Sequence, residues 1–137
     1  MSKGAYLDAS VALRATLEAG LDPASEAQLA AADVLVTSRL SLVETSRALI
    51  RARELGRLSE VQRADVQHEL DRVWSRCHVW EITPAICERA MSVAPATGLR
   101  TLDAIHLATF LEARRRLGPE LELLTADDRL RRALTAP

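Results

Sequence analysis

Lysine is almost missing from this chain: of its 18 basic side chains only Lys3 is a lysine, and the rest are arginines. Histidine is scarce as well, at 3 in 137 residues, which argues against zinc chemistry. The 2 cysteines, Cys77 and Cys87, sit in unrelated segments without metal-ligand spacing, and both are expected to be buried free thiols. Aromatic side chains are limited to Tyr6, Trp74, Trp80 and Phe110. No apolar run approaches the ~20 residues that cross a bilayer, so no membrane partner is expected. Glycine-rich phosphate loops, G-x-G-x-x-G and a nucleophile elbow are all absent. The opening Met-Ser-Lys-Gly leads straight into structured-looking sequence with no apolar leader, so a cytoplasmic protein is expected.

What remains is the composition of one globular domain over residues 1–137, 48% hydrophobic and 27% charged. Ala and Leu dominate, which favours helices packed on something. Net charge is −1, too low for a protein that coats nucleic acid through bulk positive potential. The arginines are nevertheless clustered, with Arg39, Arg47, Arg51, Arg53, Arg57 and Arg63 in one stretch and Arg114, Arg115 and Arg116 in another.

Short apolar runs alternate with helical patterns. Strands are expected at Ala5–Leu7, Val34–Thr37, Val79–Ile82 and Leu121–Thr125. Helices are expected from Asp8 to Glu18, Pro23 to Ala32, Arg39 to Leu55 and Leu58 to Arg76. Further helices should run from Pro84 to Val93, Thr101 to Leu117 and Asp127 to Leu134, with a loop over Pro95–Gly98. No Asn-Gly type turn joins two strands as a hairpin. The pattern is α/β, a parallel sheet with helices on both faces in three α/β/α layers.

In such sheets ligands bind beyond the carboxyl ends of the strands. Asp8 ends the first strand, and Asp127 lies just past the last. Glu44 falls in the helix after the second strand and Asp103 in the first turn of the helix opened by Thr101. All four carboxylates can therefore converge on one edge. Each also has a plainer role. Asp8 and Asp127 suit helix N-caps, Asp103 suits a first-turn dipole, and Glu44 is spaced to pair with Arg47. Their apolar surroundings favour chemistry, because several buried carboxylates repel unless neutralised. With one lysine, hard oxygen ligands and no nearby His or Cys, the natural neutraliser is Mg²⁺ or Mn²⁺. Such an ion suits phosphodiester hydrolysis. His106 and His78 lack a Ser or Cys partner, and His106 is expected to pack against the sheet. Phosphoaspartate enzymes and receivers need a lysine by the aspartate, and Lys3 lies at the wrong end of the first strand.

Four segments then bring a family into view: Tyr6-Leu-Asp8-Ala-Ser10-Val, Ser41-Leu-Val-Glu44-Thr-Ser-Arg47, Leu99-Arg-Thr-Leu-Asp103-Ala-Ile-His-Leu-Ala, and Leu124-Thr-Ala-Asp127-Asp. In this order and spacing, over nearly the whole chain, they resemble the PIN-domain ribonucleases and specifically the VapC-type toxins of toxin–antitoxin pairs. The resemblance implies a metal-binding quartet of Asp8, Glu44, Asp103 and Asp127, supported by the hydroxyls of Ser10 and Thr125. It implies an endoribonuclease that uses Mg²⁺ or Mn²⁺, pairs as a homodimer and is silenced by a cognate antitoxin. Ala126 departs from the tyrosine that the family often carries, with an effect expected on packing. Arg47, Arg51 and Arg100 are candidates to grip RNA phosphates through forked contacts. A PIN nuclease of RNA processing, or a PIN-like module that binds RNA or a partner without cleaving, remain the alternatives.

Overall fold

The computed structural model describes residues 3–17 and 20–135. Four strands, β1 (Gly4–Leu7), β2 (Val34–Ser38), β3 (Cys77–Trp80) and β4 (Leu121–Leu124), form one parallel sheet in the order β3-β2-β1-β4. Among the described residues seven α-helices cover it: α1 (Ala9–Thr16), α2 (Pro23–Ala31), α3 (Arg39–Glu54), α4 (Glu60–Ser75), α5 (Pro84–Ala90), α6 (Thr101–Leu117) and α7 (Asp128–Leu134). Glu18, where the first helix was expected to end, lies outside the described residues. Among the described residues no helix is long and apolar enough to cross a membrane.

Alternation along the strands sorts the core onto two faces. Tyr6, Val36 and Leu121 pack with Leu107, Phe110 and Ala113 of α6 and Leu130 and Ala133 of α7. Ala5, Leu7, Leu35 and Leu124 turn the other way, towards Val11 of α1 and Leu29 of α2. A third cluster, Ala12, Leu49, Leu70 and Trp74, ties α1, α3 and α4 together beyond that face. The three layers are those anticipated from the pattern of short buried strands between amphipathic helices.

Boundaries moved where pairing or capping overruled apolar content. The third strand is Cys77–Trp80 and not Val79–Ile82, because β2 pairs Leu35 with Cys77 and Ser38 with Trp80. Glu81 then leaves the sheet to pair with Arg39, and Ile82 is exposed ahead of the Thr83 N-cap. α4 starts at Glu60, since Ser59 and Gln62 close a reciprocal capping box. α5 stops at Ala90, and Pro95–Thr97, expected to be loop, form one 3-10 turn. Neither cysteine is fully buried as expected. Cys77 is half-buried, its thiol pushed up to about 11 by desolvation, and Cys87 is exposed.

One buried hydroxyl binds the two central strands at their carboxyl ends. Thr37, fully buried in β2, donates to the Leu7 carbonyl at 2.7 Å and shares a second hydrogen bond of 2.8 Å with Ser41 Oγ. It thereby links the last residue of β1 to the first turn of α3. Thr37→Val keeps the shape but leaves the Leu7 carbonyl unsatisfied, so stability should fall by about 1–3 kcal/mol. Denaturant unfolding of both proteins measures this, and an unchanged midpoint would refute it.

Candidate active site

The sheet order sets the location. β1 connects to β2 on one side and lies against β4 on the other, so the chain reverses direction across the sheet between β1 and β4. Ligand crevices in open parallel sheets form at such a reversal, beyond the strands' carboxyl ends. Leu7 stands opposite Leu124, so the next residues, Asp8 and Thr125, leave the sheet as neighbours.

Asp8 is 4% exposed and receives three donors. Ser10 Oγ donates to Oδ1 at 2.6 Å, the Val11 amide to the same oxygen at 3.2 Å, and Thr125 Oγ1 to Oδ2 at 2.5 Å. The two hydroxyls are held in turn: Ser10 Oγ accepts from the Ala126 amide at 3.0 Å, and Thr125 Oγ1 from the Asp127 amide at 3.0 Å. Asp8 thus caps α1 and also anchors the β4–α7 connection. A carboxylate offers about four lone-pair directions, so acceptor capacity remains. Asp127 caps α7 through Oδ1, which accepts from the Arg129 amide at 2.8 Å. The adjacent Asp128 is exposed and pairs with Arg131 at 2.8 Å.

Asp103 lies half-buried in the first turn of α6, a segment buried continuously only from His106 onward. Its carboxyl is raised above the ordinary aspartate range, first by desolvation and then by the charge of Asp127, with Glu44 adding to it. His106 and Arg129 pull in the opposite direction. Residues far apart in sequence therefore share one electrostatic environment. Glu44, on α3, does not pair with Arg47. Its Oε1 lies 2.5 Å from His106 Nε2, and His106 Nδ1 lies 2.8 Å from the Tyr6 hydroxyl. This corrects the expectation that no histidine stands near the carboxylates. His106 does pack against the sheet, but it also grips Glu44. The spacing signal was available, because His106 follows Asp103 by three residues and so shares its helix face.

Two depressions flank these residues. A groove of about 720 Å³ is lined by Glu44, Arg47, Arg51 and Leu102 together with apolar side chains of α3. A cleft of about 550 Å³ is lined by Ser10, Arg14, Asp127, Arg129 and Arg132 among others. Arg100, the residue preceding α6, is exposed. Some guanidinium groups elsewhere are tied up, as in Arg53 and Arg63 with Glu60, and Arg115 with Glu112. Arg47, Arg51 and Arg100 make no ion pair among the described residues.

The fit to a metal ion is one of donor chemistry. Carboxylates and hydroxyls are hard oxygen donors of the kind Mg²⁺ and Mn²⁺ take. Among the described residues, no three His, Cys, Asp or Glu side chains already stand in an arrangement that would hold an ion. An ion would thus have to draw these side chains together.

The raised carboxyl of Asp103 has a consequence in metal-free protein. The folded state binds this proton more tightly than the unfolded state, so this group's charge costs stability once pH rises through the carboxylate range. In chelator at neutral pH, Asp103→Asn should therefore melt above wild type, and the gap should close on acidification. Paired melting curves at neutral and mildly acidic pH test this. A variant that melts below wild type at neutral pH would contradict it.

Comparison with known proteins agrees with this layout. The PIN domain family model matches residues 5–134. Ribonuclease VapC45 of Mycobacterium tuberculosis (strain CDC 1551 / Oshkosh) is 34% identical over 107 residues, 77% of this chain and 74% of the relative. Ribonuclease VapC49 of strain ATCC 25618 / H37Rv matches with the same values, 34% over 107 residues. Among solved structures, PAE2754 of Pyrobaculum aerophilum superposes with a TM-score of 0.67 at 22% identity, over 97% of this chain and 81% of that one. A toxin–antitoxin complex from Klebsiella pneumoniae gives 0.59 at 21% identity, over 90% and 86%. VapBC2 of Rickettsia felis, bound to a DNA fragment from its promoter, gives 0.61 at 13% identity, over 90% and 99%. These last three establish a shared fold, and the family model and the mycobacterial relatives establish that the chain belongs to the PIN domain family.

Proposed function

We propose that this chain is an endoribonuclease of the VapC type, the toxin of a toxin–antitoxin pair, dependent on Mg²⁺ or Mn²⁺. The observation that supports the reading is that Asp103, on the sheet's reversal edge, shares one electrostatic environment with Asp127 and Glu44 from two other segments. The mycobacterial relatives are named as ribonucleases, which supports RNA as the substrate. A cognate antitoxin that silences the enzyme, and a second copy of the chain in a homodimer, complete the partners proposed.

Asp8, Glu44, Asp103 and Asp127 would hold the cation. When bound, it polarises a phosphate oxygen and lowers the pKa of a coordinated water. Ser10 and Thr125 keep the Asp8 carboxylate in one orientation, as their hydrogen bonds to both of its oxygens require. Arg47 and Arg51 line the groove beside Glu44, and Arg100 precedes the helix of Asp103. Unpaired guanidinium groups in these places suit forked contacts to phosphates.

Asp8→Asn retains size and most hydrogen bonding while deleting one ligand charge. It should lower RNA cleavage about 100-fold or more, the worth of a few kcal/mol of transition-state stabilisation. Wild-type activity should vanish in chelator, return with Mg²⁺ or Mn²⁺, and not return with Ca²⁺, whose coordination is larger and looser. Cleavage of purified RNA by the purified proteins decides this. Full activity in chelator, or in Asp8→Asn, would exclude the reading.

The arginines have a separate test. In an Asp8→Asn background, Arg51→Ala and Arg100→Ala should each weaken RNA binding and flatten its salt dependence by about one counterion. Affinity titrations across a salt series measure the slope. If neither change moves it, the arginines do not grip phosphates.

A further inference from the structure

The imidazole of His106 joins the buried core to the acidic edge. His106 is 3% exposed, and both of its ring nitrogens are engaged. On the core side stands Tyr6, which is fully buried and lies edge-on to both the His106 and Phe110 rings. The ring is therefore held at both nitrogens, with the Tyr6 hydroxyl 2.8 Å from Nδ1 and Glu44 Oε1 2.5 Å from Nε2.

This contact fixes the conformation of Glu44. A glutamate on an α-helix has several rotamers, and fixing one of them costs entropy. Here Oε1 is already tied to a rigid ring that is itself braced by the core, while Oε2 receives no hydrogen bond among the described residues. A plain fold contact between α3 and α6 would need only buried apolar atoms. The imidazole instead sets a ring nitrogen against the oxygen of a side chain that borders the groove.

We propose that His106 is a positioning residue, braced by Tyr6, that holds Glu44 ready for a divalent cation with one carboxylate oxygen tied and the other free. The proposal rests on the metal-dependent reading above. It concerns binding of the ion and is independent of which RNA is cut.

The test is a Mn²⁺ titration followed by electron paramagnetic resonance, with folding checked by circular dichroism and no RNA present. Four proteins are compared: wild type, His106→Leu, His106→Gln and Tyr6→Phe. His106→Leu removes the ring nitrogen that meets Glu44 and should weaken Mn²⁺ binding about 10–100-fold, the usual cost of losing such a partner. His106→Gln supplies an N–H group and should recover much of that loss. Tyr6→Phe keeps the ring but removes the brace, so its loss should be intermediate. Affinities within about twofold of wild type for His106→Leu and Tyr6→Phe would overturn the proposal, since loss outside that range is what a ligand's partner normally produces. Tighter binding would overturn it as well, by showing that His106 competes with the ion. If His106→Leu does not fold, Tyr6→Phe and His106→Gln decide by the same criteria. A wild type that binds no Mn²⁺ would sink the metal reading itself, an outcome distinct from equal binding by all four proteins.

Discussion

The parallel pairing of β1 with β4, in which Leu7 stands opposite Leu124, sends Asp8 and Thr125 off the same edge of the sheet as neighbours. The rest of the site depends on that adjacency. Thr125 donates to Asp8, Ser10 donates to Asp8 from the first turn of α1, and the backbone amides of Ala126 and Asp127 donate back to the two hydroxyls. The resulting knot closes a loop of well over a hundred residues, with the Thr125–Asp8 hydrogen bond buried at its centre. It orients an acidic side chain at a point where no strand follows to cover it.

Around this knot the fold gathers negative charge that it does not fully neutralise. Several guanidinium groups on the outer faces of the helices are committed to carboxylates, such as Glu60, Glu81 and Glu112, whose carboxyls are held below their usual range by those arginines. Asp103 has the opposite environment, with burial and the charges of Asp127 and Glu44 raising it. Two sets of acidic residues thus coexist in one small domain. The outer set contributes little to stability, because its members are exposed and screened. The inner set is costly without a partner, and it lies beside two arginine-bearing depressions.

Much of this was legible from residue order. Alternating apolar runs and helical patterns are local properties, so the α/β class, the parallel sheet and all seven helices could be read from them. Asp8 and Asp127 stand just beyond strand ends and Asp103 in a first helical turn, so topology places these three on the same edge of the sheet. The errors are equally physical. Val79-Trp-Glu-Ile82 is the more apolar choice for a strand, but the chain there is an edge strand whose register is set by hydrogen bonds to Leu35 through Ser38. Leu58 looks like the beginning of a helix, yet the cap at Ser59 places the start beyond it.

The sequence by itself determined the elements and their order, since these follow from periodicity and capping residues along the chain, and it put forward four carboxylates as candidates. Only the tertiary structure decided what each carboxylate touches. Glu44 and Arg47 are three residues apart on one helix, a spacing that permits an ion pair, but Glu44 turns instead to His106, which belongs to a helix packed on the sheet and lies 62 positions further along. Tyr6 likewise reads as an ordinary core aromatic until its hydroxyl meets His106 Nδ1, 100 positions away. Contacts of this kind depend on which side chains two separately formed elements present to each other across a packed interface. Local sequence carries no record of that meeting, because its energy exists only once the sheet and helices have assembled.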